Sequence, residues 1–253
     1  MSAGAVCVFL LLTGYESSAL AAENLGVSHI RPTSSGAERT EPVYFLTDVV
    51  PLLTKLGCNS GGCHGKATGQ NGFKLSLLGY EPDFDYEAIV KEARGRRLFL
   101  AAPERSLLLL KAASSVPHGG GRRVEVGSED YRVLIRWIES GAPPADARDP
   151  VLERITVSPD RRVFDSQIRG QQLLVTAHLS DGTTRDVTRQ AVYQSNEPDV
   201  ADVSDAGVVE TKTRSGLFAV MVRFGDQIGV FHGTVPFNRE RASSFPRAAR
   251  AKR

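Results

Sequence analysis

Between Ala142 and Pro150 the hydrophobic pattern of the chain changes its period. Upstream, Tyr131, Leu134, Ile135 and Ile138 recur at the spacing of one helix face. Downstream, short runs rich in β-branched residues are separated by turn words. One continuous layer cannot satisfy both periods. The chain is therefore expected to form two domains: a mostly α domain over residues 42–141 and an all-β domain over residues 151–238. The Pro-rich stretch 142–150 is expected to link them.

Three helices are expected in the first domain. One runs from Thr47 or Asp48, good N-caps, to Gly57, a good stop, with Pro51 tolerated in the first turn. A second follows Pro103 and carries Leu107 to Leu110. A third starts at Ser128, where Glu129 and Asp130 favour the positive end of the helix dipole. Trp137 flanks its apolar stripe, and Gly141, Pro143 and Pro144 end it. Strands are expected over residues 155–157, 172–177, 191–193, 200–203, 207–209 and 218–222. Turns at residues 180–182, 195–198 and 204–207 separate them, as in a sandwich.

The ends narrow the setting. Residues 1–21 read as a secretory signal, with an apolar run from Ala5 to Leu12 too short to span a bilayer and small residues at Ala19 and Ala21. Residues 22–41 read as a polar linker. Residues 239–253 read as a disordered basic tail, with six basic residues against Glu240. The formal net charge of the whole chain is only +2, so the basic balance belongs to the tail and is not a nucleic-acid footprint. No mature segment is long and apolar enough for a transmembrane helix. The expected location is the periplasm or the cell surface. Cleavage would remove Cys7 and leave Cys58 and Cys63 as the mature cysteines. A domain of this size builds its own core without a disulfide framework.

Those two cysteines sit in Gly57-Cys58-Asn59-Ser60-Gly61-Gly62-Cys63-His64-Gly65. Two thiols followed at once by histidine suit covalent haem attachment, in which the thiols add to the vinyl groups and the histidine ligates iron. The usual spacing has two residues between the cysteines and this chain has four. The extra residues must loop outward, and Gly61 and Gly62 allow it. The motif alone leaves two other readings open: a small disulfide loop, or the start of a zinc site short of a ligand.

The run from Leu52 to Lys66, followed by Gly69 to Leu77, resembles the planctomycete-type cytochrome c domains, in their variant with four residues between the cysteines. The resemblance continues through residues 101–110, 116–121 and 136–143 and covers nearly all of residues 43–143. It implies one covalent haem c, with Cys58 and Cys63 as thioether sites and His64 as the proximal iron ligand. The only methionines are Met1 and Met221, neither in this domain. His118, in a glycine-rich loop before the last helix, is then the expected distal ligand. Arg94, Arg96, Arg97, Arg122 and Arg123 are candidates to pair with the propionates.

In the second domain the words over residues 177–188, Ser195-Asn196 and residues 200–209 resemble bacterial immunoglobulin-like domains of group 2. That resemblance implies a spacer or adhesion module without an active site, in which His178 and His232 are ordinary surface or packing residues. No catalytic set stands out. Proteins resembling this one continue after the sandwich into further large domains, so the basic tail reads as that of a truncated or short form. The expectation is an exported, non-enzymatic monohaem electron-transfer module, with a redox partner protein or a surface component as its partner. The alternative is a haem-free cell-surface binding protein with a Cys58–Cys63 disulfide.

Overall fold

The computed structural model describes residues 42–65, 67, 69–165 and 167–237. The signal, the N-terminal linker and the basic tail lie outside the described residues. The described residues belong to one compact unit, within which two buried clusters form.

The helical region is less helical than its pattern. Its α-helices are α1 (Val50–Lys55), α2 (Pro82–Tyr86), α3 (Leu107–Ala112) and α4 (Glu129–Glu139). A wide π turn over Phe45–Val49 leads into α1, and 3-10 turns fill several gaps. The expected mostly α domain is therefore corrected: strands make up most of the regular structure, and all but one of the α-helices span six residues or fewer. The physical reason is local. Gly57 turns to positive φ just beyond α1, Leu78, Ala93 and Arg94 have positive φ inside the 3-10 turns, where a longer right-handed helix cannot continue, and Gly69, Asn71 and Gly72 do the same in the loop between α1 and α2. Helices this short do not persist alone and hold together by burial of one face.

The three expected helices are present, but α1 starts at Val50 without a side-chain cap, and Thr47 and Asp48, expected as its N-cap, lie inside the π turn that precedes it. In α1, Pro51 occupies the first turn and Gly57 lies beyond the end at φ +73°. In α4, Ser128 Oγ accepts from the Tyr131 amide at 3.2 Å, a true N-cap. The buried face of α4 is Val133, Leu134, Trp137 and Ile138, rotated from the expected stripe so that Trp137 is fully inside. Its indole N–H donates to the Pro143 carbonyl at 3.1 Å, which satisfies the polar edge of a buried ring. Phe45, Trp137 and Tyr86 meet ring to ring at the centre of this cluster.

From Leu152 to Phe237 the described residues are all strand, turn and connecting loop. The strands are β1 (Leu152–Ser158), β2 (Arg161–Val163), β3 (Gly170–Gln172), β4 (Leu174–Leu179), β5 (Thr184–Asp186), β6 (Val192–Ser195), β7 (Ala201–Val203), β8 (Val208–Thr211), β9 (Gly216–Phe224) and β10 (Gln227–Val235). They form three sheets in the orders β1-β4-β5, β2-β10-β9-β6 and β3-β8-β7. Phe164, Val175, Val209, Val220 and Phe231 fill the core between them. Along β9 the burial alternates strictly, as a strand with one face inside requires.

Candidate functional site

The loop that leaves α1 folds back on itself. The Cys58 amide donates to the Leu53 carbonyl at 2.9 Å, so the loop begins as a continuation of the helix. The His64 amide then donates to the Cys58 carbonyl at 3.0 Å, which brings the second cysteine back beside the first. The Cys63 and Gly65 amides both donate to the Ser60 carbonyl at 3.0 Å. Gly65 is required here for space: a Cβ would lie 2.0 Å from the Asn59 carbonyl oxygen. Asn59 is itself buried and donates through Nδ2 to Thr54 Oγ1 at 2.9 Å, tying the loop to α1.

All four residues singled out in the sequence come together. Cys58, Cys63, His64 and His118 line one cavity of about 420 Å³. Leu53, Leu75, Leu107 and Leu108 supply apolar wall, and Arg96, Lys111 and Arg123 supply positive charge. His64 Nδ1 lies 2.9 Å from the Phe73 carbonyl, and His118 Nδ1 lies 2.8 Å from the Gly121 carbonyl. A carbonyl can only accept, so Nδ1 carries the proton in each neutral ring and Nε2 keeps its lone pair. The two ring planes are 8° apart with centroids 6.3 Å apart. Burial pushes the His64 pKa down, against the hydrogen bond to Phe73, which raises it; His118 and Arg97 lower it further. His64 is therefore neutral at pH 7. Burial pushes the Cys58 thiol up to about 12, with Arg123 opposing the rise and Cys63 adding to it.

The candidate arginines divide. Arg97 is buried and donates to the carbonyls of Ala88 at 2.7 Å and Gly72 at 3.0 Å, with its guanidinium 4.5 Å from the Phe73 ring centroid. It is a clamp on the backbone that carries Phe73. Arg123 reaches Cys63 Sγ at 3.6 Å. Arg96 is exposed at the cavity rim, whereas Arg122 pairs with Glu125 at 2.9 Å on the surface. Asn59 and Phe73 were given no role in the sequence, because their partners lie on other turns of the chain and no short-range spacing marks them. In the strand region His178 Nε2 meets Thr156 Oγ1 at 3.1 Å and His232 is exposed.

The assignment of a covalent haem c, and the electron-transfer function built on it, is corrected here. Among the described residues no three or more His, Cys, Asp or Glu side chains group so as to hold a metal ion. Burial favours the neutral thiol at Cys58, and Cys63 Sγ lies 3.6 Å from the Arg123 guanidinium. Among the described residues no helix is long and apolar enough to cross a membrane.

No family model matches this chain, and no curated protein does. The solved structures with local similarity include domains 1–6 of the surface layer protein SbsC, at 20% identity and a TM-score of 0.29 over 34% of this chain and 13% of that one. Domains 4 and 5 of the S-layer protein SbsC match at 18% identity and a TM-score of 0.30, over 35% of this chain and 54% of that one. The matched region is thus a minor part of this chain and at most about half of either neighbour.

Proposed function

We propose that this chain is an exported, haem-free cell-surface binding protein in which Cys58 and Cys63 pair as a disulfide on the wall of a ligand cavity. The observation that supports the reading is the doubled-back loop: the His64 amide donates to the Cys58 carbonyl, closing the turn that carries both cysteines, and both, free thiols here, line the same cavity. Disulfides persist in oxidising, extracytoplasmic compartments, which the signal-like residues 1–21 support as the setting. Pairing is an exchange: both thiols lose their hydrogens, one S–S bond forms, and a disulfide oxidant is reduced to two thiols. The cavity lining, leucines beside Arg96, Lys111 and Arg123, suits a small molecule with an apolar body and an anionic group.

The test is the intact mass of the protein exported to an oxidising compartment. A loss of two hydrogens relative to the reduced chain, reversed by dithiothreitol, is the expected result. Two free thiols, or an added mass on the cysteines that survives denaturation, overturns the reading. An anionic naphthalene dye should bind in the cavity, and Arg96→Ala should weaken that binding severalfold without changing the fold.

A further inference from the structure

The segment that ends at the cysteine loop is pinned at both ends by the strand region. At its start, Asp48 Oδ2 accepts from the Tyr44 amide at 2.9 Å, and Asp48 Oδ1 accepts from Arg185 on β5 at 2.8 Å. Both side chains of that ion pair are largely buried, at 11% and 18% exposure. At its end, Lys55 Nζ donates to two strand-region carbonyls, Ala191 at 2.8 Å and Asp205 at 2.7 Å. The ammonium also lies 5.6 Å from the Tyr193 ring centroid. Lys55 is the last residue of α1, and the Cys58 amide hangs from Leu53 of the same helix.

We propose that the strand region is a brace for the cysteine loop: through Lys55 and Asp48 it fixes α1, and α1 fixes the floor of the cavity. The chemistry favours backbone carbonyls as the seat of the lock. The Lys55 side chain is 11% exposed and Ala191 is fully buried, so removing the ammonium leaves the Ala191 carbonyl without its donor away from water, which is costly, while the bond to the surface carbonyl of Asp205 fixes the direction of the side chain. The Asp205 carboxylate, by contrast, is fully exposed and 3.9 Å away, so its charge is screened and contributes little. The lock therefore depends on the shape of the chain at Ala191 and Asp205 rather than on an ion pair at the surface. Anything that shifts the turns bearing these two carbonyls would loosen the cavity floor, which couples the strand region to the site without a shared ligand.

Hydrogen exchange of the full-length chain, followed by mass spectrometry of its peptides, tests this, and the read-out is the same whether the thiols are paired or free. Lys55→Met should speed exchange of the amides over residues 50–58 by about tenfold, while the β9–β10 peptides keep their protection. Arg185→Gln, at the other end of the segment, should speed the same peptides. Asp205→Ala, which keeps the carbonyl, should leave them unchanged. Lys55→Gln is the milder variant if methionine prevents folding. Unchanged exchange over residues 50–58 in the Lys55 and Arg185 variants overturns the proposal. So does an equal rise in the β9–β10 peptides, which would mean loss of the whole fold, or an Asp205→Ala effect as large as that of Lys55→Met.

Discussion

Individual side chains set the chemistry of the cavity through burial. Cys58 packs against the helical core and its thiol is pushed up to about 12, chiefly by desolvation. In the reduced protein, iodoacetamide at pH 8 should therefore label Cys63 well before Cys58, as read by peptide mapping; equal rates would refute the burial argument. The linkage has a definite sign. A thiol whose folded pKa lies above its usual 9.0 contributes stability that is full below pH 9 and is lost as pH rises toward about 12. The reduced protein should thus lose stability across that alkaline window, and Cys58→Ser should flatten the loss. Asp85 makes the contrasting case of a buried carboxylate with partners. It accepts from the Ser76 amide at 2.5 Å and from Ser76 Oγ at 2.7 Å, and Ser76 Oγ in turn accepts from the Glu81 amide at 3.0 Å. Asp85→Ala strands the Ser76 amide and should cost about 1–3 kcal/mol in a denaturant titration.

At the scale of elements, glycine has opposite uses on the two sides of the molecule. In the helical region it stops helices, as Gly57 does after α1. In β10 it makes room. A Cβ at Gly233 would lie 2.0 Å from Phe218 Cζ, and one at Gly229 would lie 2.6 Å from Val157 Cγ2. The neighbouring side chains lie over bare backbone, so the strand packs closely only because these positions are empty. Gly233→Ala should lower stability by about 1–3 kcal/mol through overpacking, read as a fall in Tm. Ser128→Ala removes the N-cap of α4 and should cost about 1 kcal/mol in the same measurement. A Gly233→Ala protein as stable as the parent would mean that the Phe218 ring has somewhere else to go.

Over the whole molecule the described residues share one compact unit but keep two cores. The strand core, with Phe164, Leu173, Val175, Phe218 and Phe231 fully or nearly fully buried, draws no residue from the helical one. Residues 151–238 expressed alone should therefore give a cooperative β-type thermal transition. The Tm should lie below that of the same region in the full chain, because Arg185 loses its Asp48 partner and two carbonyls lose Lys55. A disordered spectrum for that fragment would show that the strand core depends on the helical one.

Local rules were sufficient for features that depend on near neighbours. Ser128 as an N-cap, Pro51 in a first turn, Gly57 as a stop and a strand over residues 218–222 could all be read from the chain, because each rests on residues within one or two turns. The grouping of Cys58, Cys63, His64 and His118 was legible as well, since a nearly contiguous motif supplies three of the four. What the side chains do there was not legible, and the haem inferred from the motif did not stand. The orientation of the His64 ring, set by the Phe73 carbonyl, and the neighbours that close the cavity come only with the folded chain. The same limit hid β2, three residues long and paired with the distant β10, and the rotation of α4 that buries Trp137. It also hid the bonds from Lys55 and Asp48 to residues more than a hundred positions away. Sequence determined the Ser128 cap, the Gly57 stop and the change of period; tertiary packing decided which surfaces met, because contact energy between distant segments exists only once the chain has closed on itself.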